Sequence, residues 1–205
     1  MKQLFLSSSF STVAKNFIAF AGDDLKGKRV TFIPTASVPE KVIFYVASGR
    51  KALEKLGMIV DELELSTATR TEIEAKIRGN DYIYVSGGNT FFLLQEMKKT
   101  GADKIIKDEI ASGKIYIGES AGSMILSPDI EYSKEMDDRK KAPELKDTSA
   151  LSVIDFYPLP HYTNFPFKKA AEKIITNYQD KIPLQPISNS QVILVKGESM
   201  KIEKK

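Results

Sequence analysis

Short apolar, β-rich runs alternate with amphipathic stretches of helical period along most of this chain, and that alternation limits the folds open to it. The runs are Lys2–Leu6, Arg29–Pro34, Ile59–Leu65, Tyr82–Ser86, Lys114–Gly118 and Asp155–Leu159, bounded by Gly, Ser or Pro. YIYVSGG and KIYIGES lack a clean in-and-out alternation, which suits strands covered on both faces, as in a parallel sheet. Between the runs, Glu40–Leu56 carries Val42, Val46, Leu53 and Leu56 at steps of 4, 7 and 3, one helical face, with Pro39 ahead and Gly57 behind. Thr90–Lys99, Asp103–Ser112 and Phe167–Tyr178 follow the same pattern, with Asn89 and Asn164 as caps. Strand–helix–strand repetition with right-handed crossovers predicts a doubly wound α/β sheet. Ile182–Pro186, Gln191–Lys196 and Met200–Glu203 read as strands without intervening helices. They are expected to extend one sheet edge in antiparallel fashion.

One segment breaks the pattern. Glu131–Ser149 is dense in charge and poor in large apolar residues, and reads either as a solvated excursion or as an active-site flap. The length, 205 residues, suits a single domain over 1–205. With no cysteine and one histidine, the chain excludes disulfides, a thiolate nucleophile, iron–sulfur clusters and multi-histidine metal sites of its own. A net charge of +3 from 30 basic and 27 acidic residues is too small to argue for a nucleic-acid or anionic-membrane partner. The first apolar run, Leu4–Leu6, falls short of the roughly 7–15 apolar residues of a signal peptide, and no window approaches the ~18 of a membrane span. A cytoplasmic protein is expected.

The sharpest chemical signal is Gly118-Glu119-Ser120-Ala121-Gly122, a G-x-S-x-G elbow with a strand-like run before it and helix-like AGSMIL after it. A tight strand-to-helix turn leaves no room for bulk at its flanks and presents the serine hydroxyl at its tip. The Ala121 amide then points to where an oxyanion would form. A second glycine turn, Ser86-Gly87-Gly88-Asn89-Thr90, is either a helix entry relieved by glycine, an anion nest, or the source of a second oxyanion donor at Gly88. The chain has neither G-x-G-x-x-G nor G-x-x-x-x-G-K-[ST], which argues against a nucleotide. Gly87-Gly88, Ser120 and the lone His161 each fall at the carboxyl end of a predicted strand, where open α/β sheets place their crevice. Glu119 either faces solvent or receives a substrate amino group. Asp23-Asp24 and Asp137-Asp138 read as solvated turn charges rather than metal ligands, and Phe165 and Phe167 as edge filling or pocket lining.

Together YVSGGNTFFLL, IGESAGSMILSPDI and PLPHYTN resemble the aspartyl dipeptidase (peptidase E) and cyanophycinase family of serine peptidases, from the first strand to about Asn177. The resemblance implies a flavodoxin-like, mostly parallel sheet related to class I glutamine amidotransferases, and cofactor-free hydrolysis of small peptides. It implies Ser120 as nucleophile, His161 as general base and then acid, and the amides of Gly88 and Ala121 as the oxyanion hole. Gly87, Asn89, Glu119 and Asn164 are the expected substrate-binding residues.

The family's late acid has no counterpart, because Ile187–Ser190 holds no carboxylate. Glu135 corresponds to a dipeptidase position that is usually Asp and is one candidate for the triad acid. Asn189, as a neutral orienter, is the other. The segment after HYTN lacks the arginine that pairs with the substrate's aspartate in aspartyl dipeptidases, and Lys168 and Lys169 offer no bidentate fork. Two rival readings stand beside the peptidase: a weakly active or non-catalytic binding member of the fold, and an esterase on the same elbow. A monomer or homodimer is expected.

Overall fold

A computed structural model describes residues 1–205. The elements in chain order are β1 (Gln3–Ser7), α1 (Phe10–Ala21), β2 (Arg29–Ile33), α2 (Phe44–Lys55), β3 (Ile59–Glu62), α3 (Arg70–Gly79), β4 (Tyr82–Val85), α4 (Thr90–Thr100), α5 (Ala102–Ser112), β5 (Ile115–Glu119), α6 (Ala121–Met124), β6 (Tyr157–Leu159), α7 (Lys168–Tyr178), β7 (Leu184–Pro186), β8 (Gln191–Lys196) and β9 (Ser199–Lys204). Seven strands form one sheet in the order β3-β2-β4-β5-β1-β8-β9. The first five are mutually parallel, and β8 and β9 add an antiparallel edge. This is the mostly parallel, doubly wound α/β sheet that the alternation predicts.

The period-2 geometry of the central strands divides the core into two layers. Phe5, Tyr82, Tyr84, Ile115 and Ile117 point to one face, where α1 and α2 supply Phe10, Val13, Phe17, Phe20 and Leu53. Leu4, Leu6, Ile83, Val85 and Tyr116 point to the other, against Ile73 and Ile77 of α3, Phe91 and Leu94 of α4, and Ile105 and Ile106 of α5. Covered on both sides, β4 and β5 are buried along their whole length. Phe5 meets Phe10, Phe17 and Phe20 edge-on at 5.3–5.9 Å between centroids. Each such fully buried side chain contributes roughly 1.5–3 kcal/mol.

Three expectations change. Asp155–Leu159 and Ile182–Pro186 do not join the main sheet: β6 and β7 pair in parallel with each other as a separate two-stranded sheet. Pro158, Pro183 and Pro186 remove ladder donors there, and α7 covers the pair through Leu159, Ala171 and Ile174. Helix α2 starts at Phe44, and Val42 and Ile43 are half-exposed or more rather than packed on a helical face. Helices α1 and α3 occupy stretches where the sequence reading proposes no element; α3 buries only Ile73 and Ile77, too few to stand out by period. The charged segment 131–149 is anchored to the body of the fold: Tyr132 is buried with its hydroxyl donating to Pro158 O at 2.6 Å, and Ala142 and Leu145 enter the larger core layer. No helix is long and apolar enough to cross a membrane.

Candidate active site

The site assembles where β4, β5 and β1 end. At the elbow between β5 and α6, a Cβ on Gly118 would lie 2.6 Å from Gly122 O, and one on Gly122 would lie 2.1 Å from Val85 O. Only glycine lets the turn close this tightly onto the neighbouring strand. Ser120 sits at the tip with φ +50°, a conformation L residues rarely adopt, and its amide is tied to Ser7 O at 2.8 Å.

The Ser120 hydroxyl lies 2.9 Å from Nε2 of His161, and Nδ1 of the same ring lies 2.8 Å from Oδ1 of Asn189. A carboxamide oxygen only accepts, so Nδ1 carries the proton and the Nε2 lone pair faces the serine hydroxyl. Burial holds the imidazole below its ordinary pKa, and the Asn189 contact works in the opposite direction. The ring stacks on Phe167 at 4.8 Å between centroids.

His161 and Asn189 stand on the two loops that leave the minor sheet, and its ladder continues into them. Ile187 N–H donates to Leu159 O at 2.9 Å and Tyr162 N–H to Ile187 O at 3.0 Å. Asn164 sews the loops together: its amide donates to His161 O at 2.9 Å, and its Oδ1 accepts from Asn189 N–H at 2.8 Å. Ser8, just past β1, joins both loops to the main sheet. Its hydroxyl accepts from His161 N–H at 3.0 Å and lies 3.1 Å from Ile187 O. His161 is held at φ +60° in this frame.

The Gly87–Gly88 turn forms the opposite wall. A Cβ on Gly87 would stand 3.2 Å from Ser120 Cβ, and one on Gly88, at φ +135°, would stand 2.1 Å from Ala36 O. The Gly88 amide donates to no acceptor in the protein. The Ala121 amide, first in α6, has no acceptor within its own helix.

The remaining predicted site residues fall differently. Asn89 caps α4 as expected, but its carboxamide is fully used: Oδ1 accepts from Phe92 N–H at 3.0 Å and Nδ2 donates to Asp138 O at 3.1 Å. Asn164 caps no helix, since α7 begins at Lys168; it holds Asn189 instead. Glu135 is not brought to His161. Its short helical turn packs on α7 and leaves its carboxylate 2.6 Å from Lys173 Nζ, while Asn189 occupies the ring nitrogen. Glu119 does not face solvent: it is buried and accepts from Phe10 N–H at 2.8 Å and from the Tyr84 hydroxyl at 2.7 Å. Burial pushes its carboxyl up to about 7, against these donors and the Gly87 amide, which favour the charged form.

Asp137 is no solvated turn charge. It is half-buried at the start of α4, accepts from Thr90 N–H at 3.0 Å and Thr90 Oγ1 at 2.5 Å, and burial pushes it up to about 6. Phe165 is 93% exposed and lines nothing, whereas Phe167 meets His161. The sequence reading missed Ser8. Its one signal was three serines at the end of a strand bound for the site edge.

The model of peptidase family S51 matches residues 4–203. An uncharacterized peptidase of Listeria innocua is 56% identical over 200 residues, covering 98% of this chain and 95% of that one. A peptidase of Pasteurella multocida, likewise uncharacterized, is 55% identical over 199 residues, 97% and 96% of the two chains. A peptidase E of a Nostoc species is 29% identical over 171 residues, 80% and 66%. Among solved structures, a provisionally assigned peptidase E of Listeria monocytogenes superposes with a TM-score of 0.96 at 54% identity, covering 100% of this chain and 98% of that one. A peptidase from an acI-B1 actinobacterium, at 20% identity and a TM-score of 0.74 over 100% and 88%, shares the fold.

Proposed function

This chain belongs to peptidase family S51, and on that premise we propose that it is a serine peptidase hydrolysing small peptides, with Ser120 as nucleophile and His161 as general base. The observation that carries the reading is the relay Ser120 Oγ–His161 Nε2 at 2.9 Å and His161 Nδ1–Asn189 Oδ1 at 2.8 Å. As Oγ attacks the scissile carbonyl, its proton passes to Nε2. The carbonyl oxygen becomes an oxyanion and takes hydrogen bonds from the Gly88 and Ala121 amides. The imidazolium then protonates the leaving amine, the C–N bond breaks and an ester on Ser120 remains. Water enters, gives its proton to Nε2 and attacks the ester, and the returning proton restores Ser120 and releases the acid.

Asn189 fixes the tautomer and the ring plane in every step. Being neutral, it lends the imidazolium less stabilisation than a carboxylate would. A binding protein that lost its acid is the less favoured reading, because a carboxamide oxygen fills the orienting position at hydrogen-bond distance. Restriction to small peptides is supported by the 131–149 segment, which Asp137 and Asp138 anchor to α4 beside the Gly87–Gly88 turn.

The test is hydrolysis of a dipeptide panel, with acyl esters alongside, by wild type, Ser120→Ala and His161→Ala. Peptide turnover by wild type and a loss of at least ~10³-fold in both variants are expected. Unchanged hydrolysis in both variants overturns the assignment, and turnover of esters alone replaces it with an esterase.

A further inference from the structure

The acyl-transfer steps leave the buried carboxylate beside Ser120 without a task. Glu119 ends β5 immediately before Ser120 and is 3% exposed. Its two oxygens take hydrogen bonds from two elements. Oε1 takes the N–H of Phe10, the first residue of α1; Oε2 takes the Tyr84 hydroxyl from β4; and the Gly87 amide, in the turn beyond β4, also stabilises the charge. Helix α2 closes the remaining side through Gly49, where a Cβ would stand 2.4 Å from Tyr84 Oη and 3.5 Å from Glu119 Oε2. The titratable groups facing it are Tyr84 and, from α2, Tyr45; no lysine, arginine or second carboxylate contributes to its ionisation. The charge is therefore balanced by dipoles alone. Burying an ion without a counter-ion is costly, and a filler for this position would be apolar.

Both donors, and the Gly87 turn beside them, belong to segments that build the site. Phe10 lies two residues past Ser8, which holds His161 N–H. Tyr84 leads into Ser86-Gly87-Gly88, and Gly87 packs against Ser120 Cβ. Since Gly88 cannot accept a Cβ and its amide is free, the direction of that amide depends on how the turn is held.

We propose that the Glu119 carboxylate is a positioning residue for the oxyanion-binding turn: by accepting from Tyr84 at the end of β4 and from Phe10 at the start of α1, it fixes Gly87–Gly88 against the Ser120 elbow and aims the Gly88 amide. The inference rests on Ser120 acting as nucleophile and Gly88 as an oxyanion donor. Protonation removes the charge that these dipoles hold: the Tyr84 hydroxyl must turn from donor to acceptor, the charge-assisted bonds weaken and the turn loosens. A displacement of ~1 Å at an oxyanion donor costs on the order of 10²-fold in rate.

The experiment follows fluorophosphonate labelling of Ser120 and dipeptide turnover from pH 5.5 to 9 in wild type, Glu119→Gln and Tyr84→Phe, with a melting curve at each pH. Wild type is expected to gain rate through two ionisations, that of His161 and one near pH 7. Glu119→Gln should lose about 10–100-fold in kcat with KM little changed, and lose the limb near 7 while His161's limb stays. Tyr84→Phe removes one donor to the carboxylate and leaves the site residues untouched, so it should move the upper limb to higher pH. Wild-type rates in Glu119→Gln overturn the proposal, as does a slowed variant that keeps the limb near 7. Should Glu119→Gln not fold, an unmoved limb in Tyr84→Phe overturns it instead. Wild type unlabelled at every pH overturns the serine-peptidase reading and this inference with it, whereas labelling with unmoved limbs removes only the role of Glu119.

Discussion

Replacing Asn189 with aspartate places a negative charge on the far side of the base. Oδ1 lies 2.8 Å from Nδ1 of His161, in the geometry a charge-assisted hydrogen bond requires. A full charge ~4 Å from the centre of the imidazolium is worth about 4 kcal/mol at an effective dielectric near 20. Part of that is consumed in desolvating the new carboxylate at a half-buried position. A remainder of roughly 1.4–2.7 kcal/mol raises the acid limb of the rate profile by about one to two pH units.

The sign follows from the state of the base. In the proposed mechanism His161 works unprotonated, and burial now holds its pKa below the ordinary value, so activity is expected to rise with pH at a comparatively acidic point. In Asn189→Asp the rise comes later. Once the ring is neutral, imidazolium stabilisation expressed in the transition state makes the plateau about tenfold higher. The assay is kcat/KM on a dipeptide, or the rate constant for fluorophosphonate labelling, across pH 5–9.5 for both proteins. A limb that stays in place or moves to lower pH refutes the reasoning, because it means that the residue 189 side chain does not act on Nδ1.

Three further outcomes are expected. Asn164→Ala removes the acceptor of the Asn189 amide and should lower kcat about tenfold with a change in melting temperature of only a few degrees, checked by kinetics beside calorimetry. Gly122→Ala drives a methyl to 2.1 Å from Val85 O, where strand and elbow leave no escape, and should destabilise the fold by about 3 kcal/mol or more in urea titrations. Glu119, raised from an ordinary 4.5 to about 7, makes a contribution to stability that is fully present below pH 4.5 and lost as pH rises through 7, roughly 3 kcal/mol in all. The fall in unfolding free energy between pH 5 and pH 8 should therefore be smaller in Glu119→Gln, and an equal fall in both proteins contradicts the assignment.

What was legible in the sequence is what lies within one turn of chain or repeats along it. The elbow needs five consecutive residues, and Gly118 is dictated by a contact that the turn itself creates, with Gly122 O, while Gly122 answers to Val85 on the neighbouring strand. YIYV and KIYI announce strands buried on both faces because their neighbours must cover both sides. What was not legible depends on partners distant in sequence. Asn189 reaches His161 across 28 positions, and nothing local separates it from Glu135, whose turn is carried off by α7. Asp137 looks like a surface charge until Thr90, 47 positions away, claims it. The small strands β6 and β7 read like main-sheet strands because three-residue ladders carry no mark of the sheet they join.

Pairing in that minor sheet has a consequence for how the site can vary. Ser120 and the Gly88 and Ala121 amides are mounted on the main sheet, while His161 and Asn189 stand on the loops after β6 and β7 and meet Ser120 across a crevice. His161 and the residue behind it form a cassette, carried on one stretch of chain and exchangeable together. Grafting residues 157–189 from a relative with a carboxylate behind its histidine would change the electrostatics of the imidazole in one stroke. Met124 of α6 packs on Leu159, Ala171 and Ile174, so a graft that keeps those three contacts would change the proton affinity of the imidazole and leave the seat of the elbow intact.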